Sequence, residues 1–538
     1  MNTHIICGLG QVGYRVCDLL LRLGEQVEVV TLESREERIT ELRDRGARVH
    51  IGDAQNPHAL REAGIEHADS LITVTGKDLV NIEIALDARQ LRPDMPLIVR
   101  IFDESLGARL EETLGLRKAV GRSSLAAPVF ASAVLGESVR SSFTVAGQTF
   151  VVGTLSAGDD SPKSGSVPVI LRKHDGSIEF PVESNRKITA HETLTVLGPA
   201  ENWYQKPAIT PARFLFSFFN VWRQSSLPIR RVFGALLGIA LVSLFVFQFG
   251  MGLSFIDAMY FVITTITTVG YGDITPIKAS AALKLYACLL MLVGSATLAA
   301  IYSLITDFVV TARFQQLLGR HRIPEKDHVV VVGLGNIGYR VAEELHRLQL
   351  PQVAVENRSE GTFVEAVRSF APVLIGDART VETLVKAGIK NAHAVLAVTS
   401  DDAVNLTVSL VSRELNPGIR AITRIFDPLF AEKIQKPLSI DIALSASRIA
   451  APTFVASALY ENVVGACLLD ERTLLSFVCR KAGTAMAGQK PSVLRSKNQE
   501  CLLYRKTSGT FRFQPIVADD SPLAAEDDLI LVKIRSVL

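Results

Sequence analysis

Cysteine and net charge are what this chain has little of. Its six cysteines (Cys7, Cys17, Cys288, Cys467, Cys479 and Cys501) form no CxxC pair and no disulfide-like framework, so reduced, cytosolic thiols are the simpler reading. Lysine and arginine number 57 against 55 aspartates and glutamates, a formal net charge of +2. No overall basic field speaks for nucleic acid. Met1 to Cys7 lacks a basic segment followed by an apolar run, so no cleaved signal peptide is expected. Apolar residues are plentiful instead: 48% of the chain is hydrophobic and mean hydropathy is positive. That is high for a wholly soluble protein and modest for a wholly membrane one. With 538 residues the chain is too long for one core, and three or more domains are expected, a minor membrane part joined to larger soluble parts.

Two runs carry no charge, Val232 to Ile256 and Leu285 to Thr306. Each is long enough to cross a bilayer core, which takes roughly 20 helical residues. Arg213, Arg223, Arg230 and Arg231 precede the first run, and Arg313, Arg320 and Arg322 follow the second. By the positive-inside rule both flanks are cytoplasmic, and two spans require both flanks to share a side. Phe214, Phe218, Phe219 and Trp222 lie among the first group of arginines, which suggests a helix in the membrane interface. No regularly spaced arginines occur within a span, so no voltage sensor is expected. Between the spans, Ala258 to Gly272 is uncharged but only 15 residues long, too short to cross and suited to re-entry. It runs into Thr268-Val269-Gly270-Tyr271-Gly272-Asp273. Non-helical backbone at that depth is tolerated where it lines a cavity or is buried in protein. Gly270 and Gly272 permit conformations that would turn successive carbonyls toward one axis.

A soluble pattern lies on each side of this unit. His4 to Cys7 reads as a strand and leads into Gly8-Leu9-Gly10-Gln11-Val12-Gly13, a helix, and a second strand ending at Glu33, 20 positions past the last glycine. Strand, glycine turn, helix and acid in this order make the dinucleotide-binding fingerprint. The glycines let backbone approach a diphosphate at the helix N-terminus, and Glu33 would accept from a ribose hydroxyl. Strands at Arg48 to Ile51, Ser70 to Val74 and Leu97 to Ile101 alternate with helices, predicting a parallel, doubly wound sheet with its ligand at the strand C-termini. Asp53, Thr75 and Arg100 fall at those ends; Arg100 could meet a phosphate or equally form a structural ion pair. From Ser142 to about Leu197 the short, turn-broken strands suggest a small β-rich lobe with no catalytic constellation.

The pattern then returns. Gly333-Leu334-Gly335-Asn336-Ile337-Gly338-Tyr339-Arg340-Val341 repeats Gly8 to Val16 at seven of nine positions. Glu356 parallels Glu33, Asp377 parallels Asp53, Thr399 parallels Thr75, Asn405 parallels Asn81 and Arg424 parallels Arg100. A domain has been duplicated. The expected fold is a multidomain membrane protein: two Rossmann-like, doubly wound α/β domains with small β-rich lobes flank an α-helical two-span pore domain with a re-entrant pore loop. The expected boundaries are 1–139 and 327–462 for the α/β domains and 140–200 and 463–538 for the lobes. Linkers are expected at 201–231 and 313–326, and the membrane domain at 232–312.

A TVGYG segment between two spans, with GxGxxG, GDA and RIFD repeated on both sides, resembles the two-span potassium channels that carry RCK (TrkA-type) regulatory domains. The resemblance covers nearly the whole chain. It implies that K+ is held by the hydroxyl and carbonyl of Thr268 and the carbonyls of Val269, Gly270 and Tyr271. It further implies Asp273 at the outer mouth and a pore helix within Ser254 to Thr267. Filters of this design use four loops, so a homotetramer follows. Gly294 stands where members often carry a gating-hinge glycine, with simple helix packing an equal alternative. Family domains pair through the segment after the sheet, here Gly121 to Glu137 and Ser445 to Glu461, and eight domains would form a cytoplasmic gating ring. Two departures are visible: Thr264 stands where some members carry a glutamate, and one regulatory domain precedes the pore. The short connection from Val310 to Asp327 makes the C-terminal domain the direct candidate to pull on the second span.

The expected function is a potassium-selective channel of the plasma (inner) membrane, with both termini cytoplasmic and gated by NAD(H) or an adenine nucleotide such as ATP or ADP. The ligand-binding residues expected are Gly8, Gly10, Gln11, Val12, Gly13, Glu33, Asp53, Thr75 and Arg100 in the first domain. In the second they are Gly333, Gly335, Asn336, Ile337, Gly338, Glu356, Asp377, Thr399 and Arg424. Some relatives sense calcium through acidic residues, so a divalent cation at Asp53 or Asp377, or near Asp103 and Asp427, ranks second; a hard-cation site needs about six oxygens. A membrane-tethered NAD-dependent oxidoreductase is the rival, but neither a proton-transfer residue nor a substrate domain is legible. The intact filter argues against a non-conducting regulatory subunit.

Overall fold

The structure, a computed structural model, describes residues 1–32, 36–135, 139–156, 165–182, 188–200, 227–317, 321–470, 473–491, 500–507, 513–515 and 521–536. They fall into two compact units, one drawn from 1–205 and 321–538 and one from 206–320. Glu33 lies outside the described residues, as does most of the stretch expected to hold the interfacial helix.

In the first half, short β-branched runs broken by glycine turns alternate with amphipathic helices. The order is β1 (Thr3–Cys7), α1 (Gln11–Arg22), β2 (Gln26–Thr31), α2 (Glu36–Asp44), β3 (Arg48–Ile51), α3 (Pro57–Glu62), β4 (Ser70–Thr73), α4 (Asp78–Leu91), β5 (Leu97–Arg100), α5 (Glu104–Leu114), β6 (Lys118–Val120) and α6 (Arg122–Val134). The strands form a parallel sheet in the order β3-β2-β1-β4-β5-β6. Strand order reverses between β1 and β4, so the crevice of a doubly wound sheet opens at the glycine turn after β1. An antiparallel sheet follows, made of β7 (Val139–Val145), β8 (Gln148–Ser156), β9 (Val167–Arg172), β10 (Ile178–Glu179) and β11 (Thr193–Pro199).

The membrane unit contains α7 (Leu227–Met251), α8 (Phe255–Ile266) and α9 (Ala281–Leu317). Gly234–Met251 and Ala281–Ser303 are long and apolar enough to cross a membrane. The first helix stops at Met251, short of the uncharged run's end at Ile256. The cause is conformational: Gly252 takes a left-handed φ of +65°, and Ser254 then caps α8 by accepting from the Asp257 N–H at 3.2 Å. The second helix runs 37 residues, about 55 Å, well beyond a bilayer core of roughly 30 Å. Phe247 meets Phe261 edge-on at 4.8 Å, and Ser243 shares a 2.9 Å hydrogen bond with Tyr286, tying the three helices together.

The second half repeats the first: β12 (Val329–Val332), α10 (Asn336–Arg347), β13 (Gln352–Glu356), α11 (Val364–Arg368), β14 (Val373–Ile375), α12 (Val381–Lys386), β15 (Ala394–Ala397), α13 (Asp402–Leu415), β16 (Arg420–Arg424), α14 (Pro428–Gln435), β17 (Ile442–Leu444) and α15 (Ala446–Leu459). Its sheet order, β14-β13-β12-β15-β16-β17, matches strand for strand. A second antiparallel sheet is built from β18 (Val463–Leu468), β19 (Thr473–Lys481), β20 (Glu500–Lys506), β21 (Gln514–Pro515) and β22 (Asp528–Ser536).

The two halves exchange their last helices. Ala127, Phe130 and Val134 of α6 enter the core of the second half with Val331, Val341 and Leu396. Ala451, Phe454 and Val455 of α15 enter that of the first half with Ile6, Val16 and Ile72. Both Phe130 and Phe454 are fully buried, each worth about 1.5–3 kcal/mol relative to exposure. Arginines pin the exchanged ends: Arg420 Nε donates to the Ala133 carbonyl (2.6 Å) and Arg117 Nη1 to the Ala458 carbonyl (3.2 Å). The lobes join as well. Phe143 stacks on Phe477 at 5.1 Å, and the single Tyr504 O–H lies within hydrogen-bond distance of the carbonyls of Gly165 and Leu197, at 2.6 and 2.8 Å.

Phe454→Ala is therefore expected to cost about 3–5 kcal/mol and to remove hydrogen-exchange protection from β1 and β4 of the opposite half. Protection lost only between residues 329 and 459 would contradict the exchange.

Candidate functional site

The three glycines of each turn do different work. Gly8 and Gly333 take left-handed φ values of +102° and +91°, open to glycine without strain. A Cβ on Gly13 would lie 1.9 Å from the Gly8 carbonyl oxygen, and one on Gly338 would lie 1.8 Å from that of Gly333. This contact packs each helix onto its strand. A Cβ on Gly10 or Gly335 would meet nothing within 4 Å, so the middle glycine leaves the backbone open to approach. Neither α1 nor α10 has a side-chain cap at this end, and the first N–H groups of a helix have no intrahelical partner. Val12 and Ile337, expected among the binding residues, are buried in the cores. Only their backbone can belong to the site.

The residues around the turns are braced by the protein itself. Thr75 N–H and hydroxyl both donate to Asn81 Oδ1 (2.9 and 2.7 Å), and Asn81 Nδ2 donates to the Arg100 carbonyl at 3.0 Å. Thr399, Asn405 and Arg424 repeat this at 2.9, 2.8 and 3.0 Å. The two threonine hydroxyls thus serve the turn. Arg100 and Arg424 donate from Nη1 to the carbonyls of Thr75 and Thr399, both at 2.8 Å. Burial lowers both guanidinium pKa values, with Asp78 and Asp402 acting in the opposite direction. Glu356 folds back on its own loop: Oε2 accepts from the Leu334 N–H (2.7 Å), and Oε1 from those of Asn357 and Arg358 (2.9 and 3.2 Å).

A divalent cation at Asp53 or Asp377 finds no support in this geometry. Arg379 donates to both oxygens of Asp377 and holds its carboxyl below the usual carboxylate range. Asp53 Oδ1 accepts from the Gln55 N–H at 3.0 Å in a tight turn. Asp103 and Asp427 cap α5 and α14. Among the described residues no group of three or more His, Cys, Asp or Glu could hold a metal ion.

In the membrane unit the side chains of Thr264, Thr265 and Thr267 turn back onto the carbonyls of Tyr260, Phe261 and Ile263 at 2.9, 2.6 and 2.7 Å. The chain then leaves the helix with φ of +61° at Thr268, +52° at Gly270 and +79° at Gly272, with Val269 and Tyr271 of ordinary sign between them. Alternating hands gather successive peptide groups on one side of the chain instead of alternating them as a strand does. A left-handed β-branched residue is an outlier that costs about 1–3 kcal/mol. Here it is held by the N–H groups of Val269 and Gly270, which both donate to the Thr264 carbonyl at 2.9 and 3.1 Å. Tyr260 lies parallel to Tyr271 at 6.4 Å. The Thr264 hydroxyl is thus engaged on its own helix. The helix α9 continues through Gly294, where a Cβ would lie 3.3 Å from Ile266 Cα, so close helix packing accounts for a glycine there.

A doubled Rossmann-like α/β fold and a helical membrane unit define the class, and comparison identifies the domains. The TrkA-N domain model matches residues 4–121 and 329–446, and the ion-channel model residues 232–311. The chain thus carries a TrkA-N domain on each side of a two-span ion-channel domain. It is 30% identical over 197 residues to Probable potassium channel protein 2 of Methanocaldococcus jannaschii, covering 34% of this chain and 56% of that one. It is 28% identical over 197 residues to Voltage-gated potassium channel Kch of Escherichia coli, covering 36% and 46%. The chain spans about half the length of the curated relatives it matches. Among solved structures it resembles in fold the GsuK channel (TM-score 0.52, 15% identity, 99% of this chain and 77% of that one). The GsuK RCK domain is similar too (TM-score 0.51, 15% identity, 99% and 92%).

Gly13→Ala and Gly338→Ala are expected to lose folded protein. Gly10→Ala should keep wild-type stability to within about 0.5 kcal/mol. A melting temperature for Gly10→Ala as low as that of Gly13→Ala would refute this division of labour.

Proposed function

We propose that four copies of this chain form a potassium-selective channel gated by nucleotide binding at its TrkA-N domains. The observation that carries this reading is the alternating backbone hand through Thr268, Gly270 and Gly272, braced on the Thr264 carbonyl. Four such segments around one axis would offer rings of carbonyls in place of the hydration shell of K+. Val269 and Tyr271 are 52% and 73% exposed in the single chain, a surface that neighbouring copies would cover. The exposed apolar side chains of α7 and α9, among them Leu237, Phe249, Leu285 and Leu292, suit lipid or a neighbouring copy. Arginines on both flanks favour a cell-membrane protein with both termini in the cytoplasm. The named relatives are potassium channels, which favours a channel over a tethered dehydrogenase.

For the ligand, open backbone at Gly10 and Gly335 beside uncapped helix N-termini suits a diphosphate, and hence NAD(H) or an adenine nucleotide. A protein of like fold is the GsuK channel bound to NAD. In the second half a ribose would compete with the Leu334 N–H for Glu356. A ligand preferring one arrangement of the paired domains shifts the pore equilibrium by its differential affinity for the two states. Bending of α9 at Gly294 would act on Ile266, two residues from the filter.

Purified protein in liposomes is expected to pass K+ well above Na+, with a rate that changes on adding NAD+, NADH, ATP or ADP, and Gly10→Ala should lose the response while keeping the flux. Absence of K+ flux under every nucleotide condition would rule out the channel. Flux indifferent to all four nucleotides would leave the pore and remove the gating.

A further inference from the structure

The two halves differ in charge where the exchanged helices begin. The helix α6 begins with Arg122, and α15 begins with Ala446 at the matching place. Arg122 is half-buried and donates from Nη1 to Oε1 of Gln11 at 3.1 Å, the first helical residue after the glycine turn. Arg100 and Arg424 sit on the carbonyls of Thr75 and Thr399. Each of those threonines packs against the first glycine of its turn. Three guanidiniums therefore stand at the mouths of the two glycine turns, and Arg122 lies close enough to both others for their charges to act on it.

Their compensation is incomplete. Asp78 faces Arg100 and Asp402 faces Arg424, and these carboxylates also accept the N–H groups of Phe102 (2.8 Å) and Phe426 (2.9 Å). No ion pair is seen for Arg122 among the described residues. Burial first, and then Arg100 and Arg424, push it down to about 9. A base whose folded pKa lies below its unfolded one is disfavoured as the charged form by the fold, so at neutral pH this charge opposes folding. Truncating a structural ion-pair arginine destabilises; removing this one should not.

We propose that Arg122, with Arg100 and Arg424, reads condensed phosphate at the junction of the two TrkA-N domains and takes the outer phosphates of a nucleoside triphosphate. The choice of nucleotide rests on the function proposed above; the anion chemistry does not. A glycine turn and helix N-terminus can serve a diphosphate, whereas each further phosphate needs another donor. Guanidinium forks match phosphate oxygens in pairs. Arg424 comes from the opposite half, so a phosphate reaching it would bridge the two domains.

The test uses the full-length purified protein, with inorganic tripolyphosphate, ATP, ADP and NAD+ titrated into wild type, Arg122→Gln and Arg122→Lys. Arg122→Gln should weaken tripolyphosphate and ATP by about tenfold or more and NAD+ by less than about threefold, with Arg122→Lys in between. Without ligand, Arg122→Gln should melt at or above the wild-type temperature, which a structural arginine would not allow. A lower melting temperature for Arg122→Gln, or tripolyphosphate bound equally by wild type and variant, overturns the proposal. If tripolyphosphate binds in an Arg122-dependent way while no nucleotide binds, the anion site stands and the nucleotide reading falls. If nucleotides bind and Arg122→Gln changes none of them, the nucleotide reading stands and the anion site falls.

Discussion

Neither α/β half completes its own core, and most of the structure outside the membrane unit follows from that. The helices α6 and α15 leave the sheets they follow and fill the opposite ones, where Phe130 and Phe454 are fully buried. A close-packed interior transmits displacement instead of absorbing it, so one half cannot shift against the other without moving a helix that the other half needs. The crossing runs beside both crevices. Phe102, two residues after Arg100, rests on Phe363 at 5.4 Å and under the guanidinium of Arg340 at 5.4 Å. On the matching side Arg38 covers Phe426 at 5.3 Å and Arg15 pairs with Asp427 at 3.6 Å. The RIFD motif, suggestive of ligand chemistry from its position at a strand end, is largely the seam between the halves.

The membrane unit rests on a different constraint, strain held in place. A threonine at φ +61° persists only where its surroundings over-determine it. The end of α8 does this with a single carbonyl, that of Thr264, which takes two N–H bonds from the residues that follow. The hydroxyls of Thr264, Thr265 and Thr267 are spent on the helix, which leaves Thr268 the first hydroxyl in the motif not folded back onto α8. From below, Gly294 lets α9 approach the same turn. The parts that position this backbone are thus local and lie within some thirty residues of sequence.

Much of this was legible because it depends on short-range signals. Strand, glycine turn and helix recur in register in both halves, and Ser254 three residues before Asp257 announces the start of α8. What was not legible depends on side-chain partners that hydropathy does not encode. The uncharged run to Ile256 hid the break at Gly252, because a left-handed glycine leaves no mark in a hydropathy profile. Thr75 and Thr399 looked like ligand donors, but their partners Asn81 and Asn405 are six residues away on the next helix. Asp377 looked available to a cation although Arg379 is two residues on. Arg122 was missed inside an otherwise small and apolar segment; setting it against Ala446, its counterpart in the duplicate, is the comparison that exposes it.

That comparison points to what covalent duplication permits. Two identical domains paired about a twofold axis must carry every residue twice, so an arginine at the start of the exchanged helix would bring a second uncompensated guanidinium into the same junction. Fusing the domains into one chain removes that requirement, and the counterpart of Arg122 is Ala446. The same freedom appears beside α5 and α6. A cleft of about 640 Å³ there includes Ser124 and Ala108 in its wall. The equivalent cleft in the second half measures about 250 Å³. Arg448 and Glu432 stand at the equivalent positions and close across it in a 2.8 Å ion pair. Fold and strand order remained symmetric because each half supplies part of the other's core. Charge and cavity had no such tie, and it is there that the halves diverged, so any ligand of this protein meets two crevices of one architecture and different electrostatics.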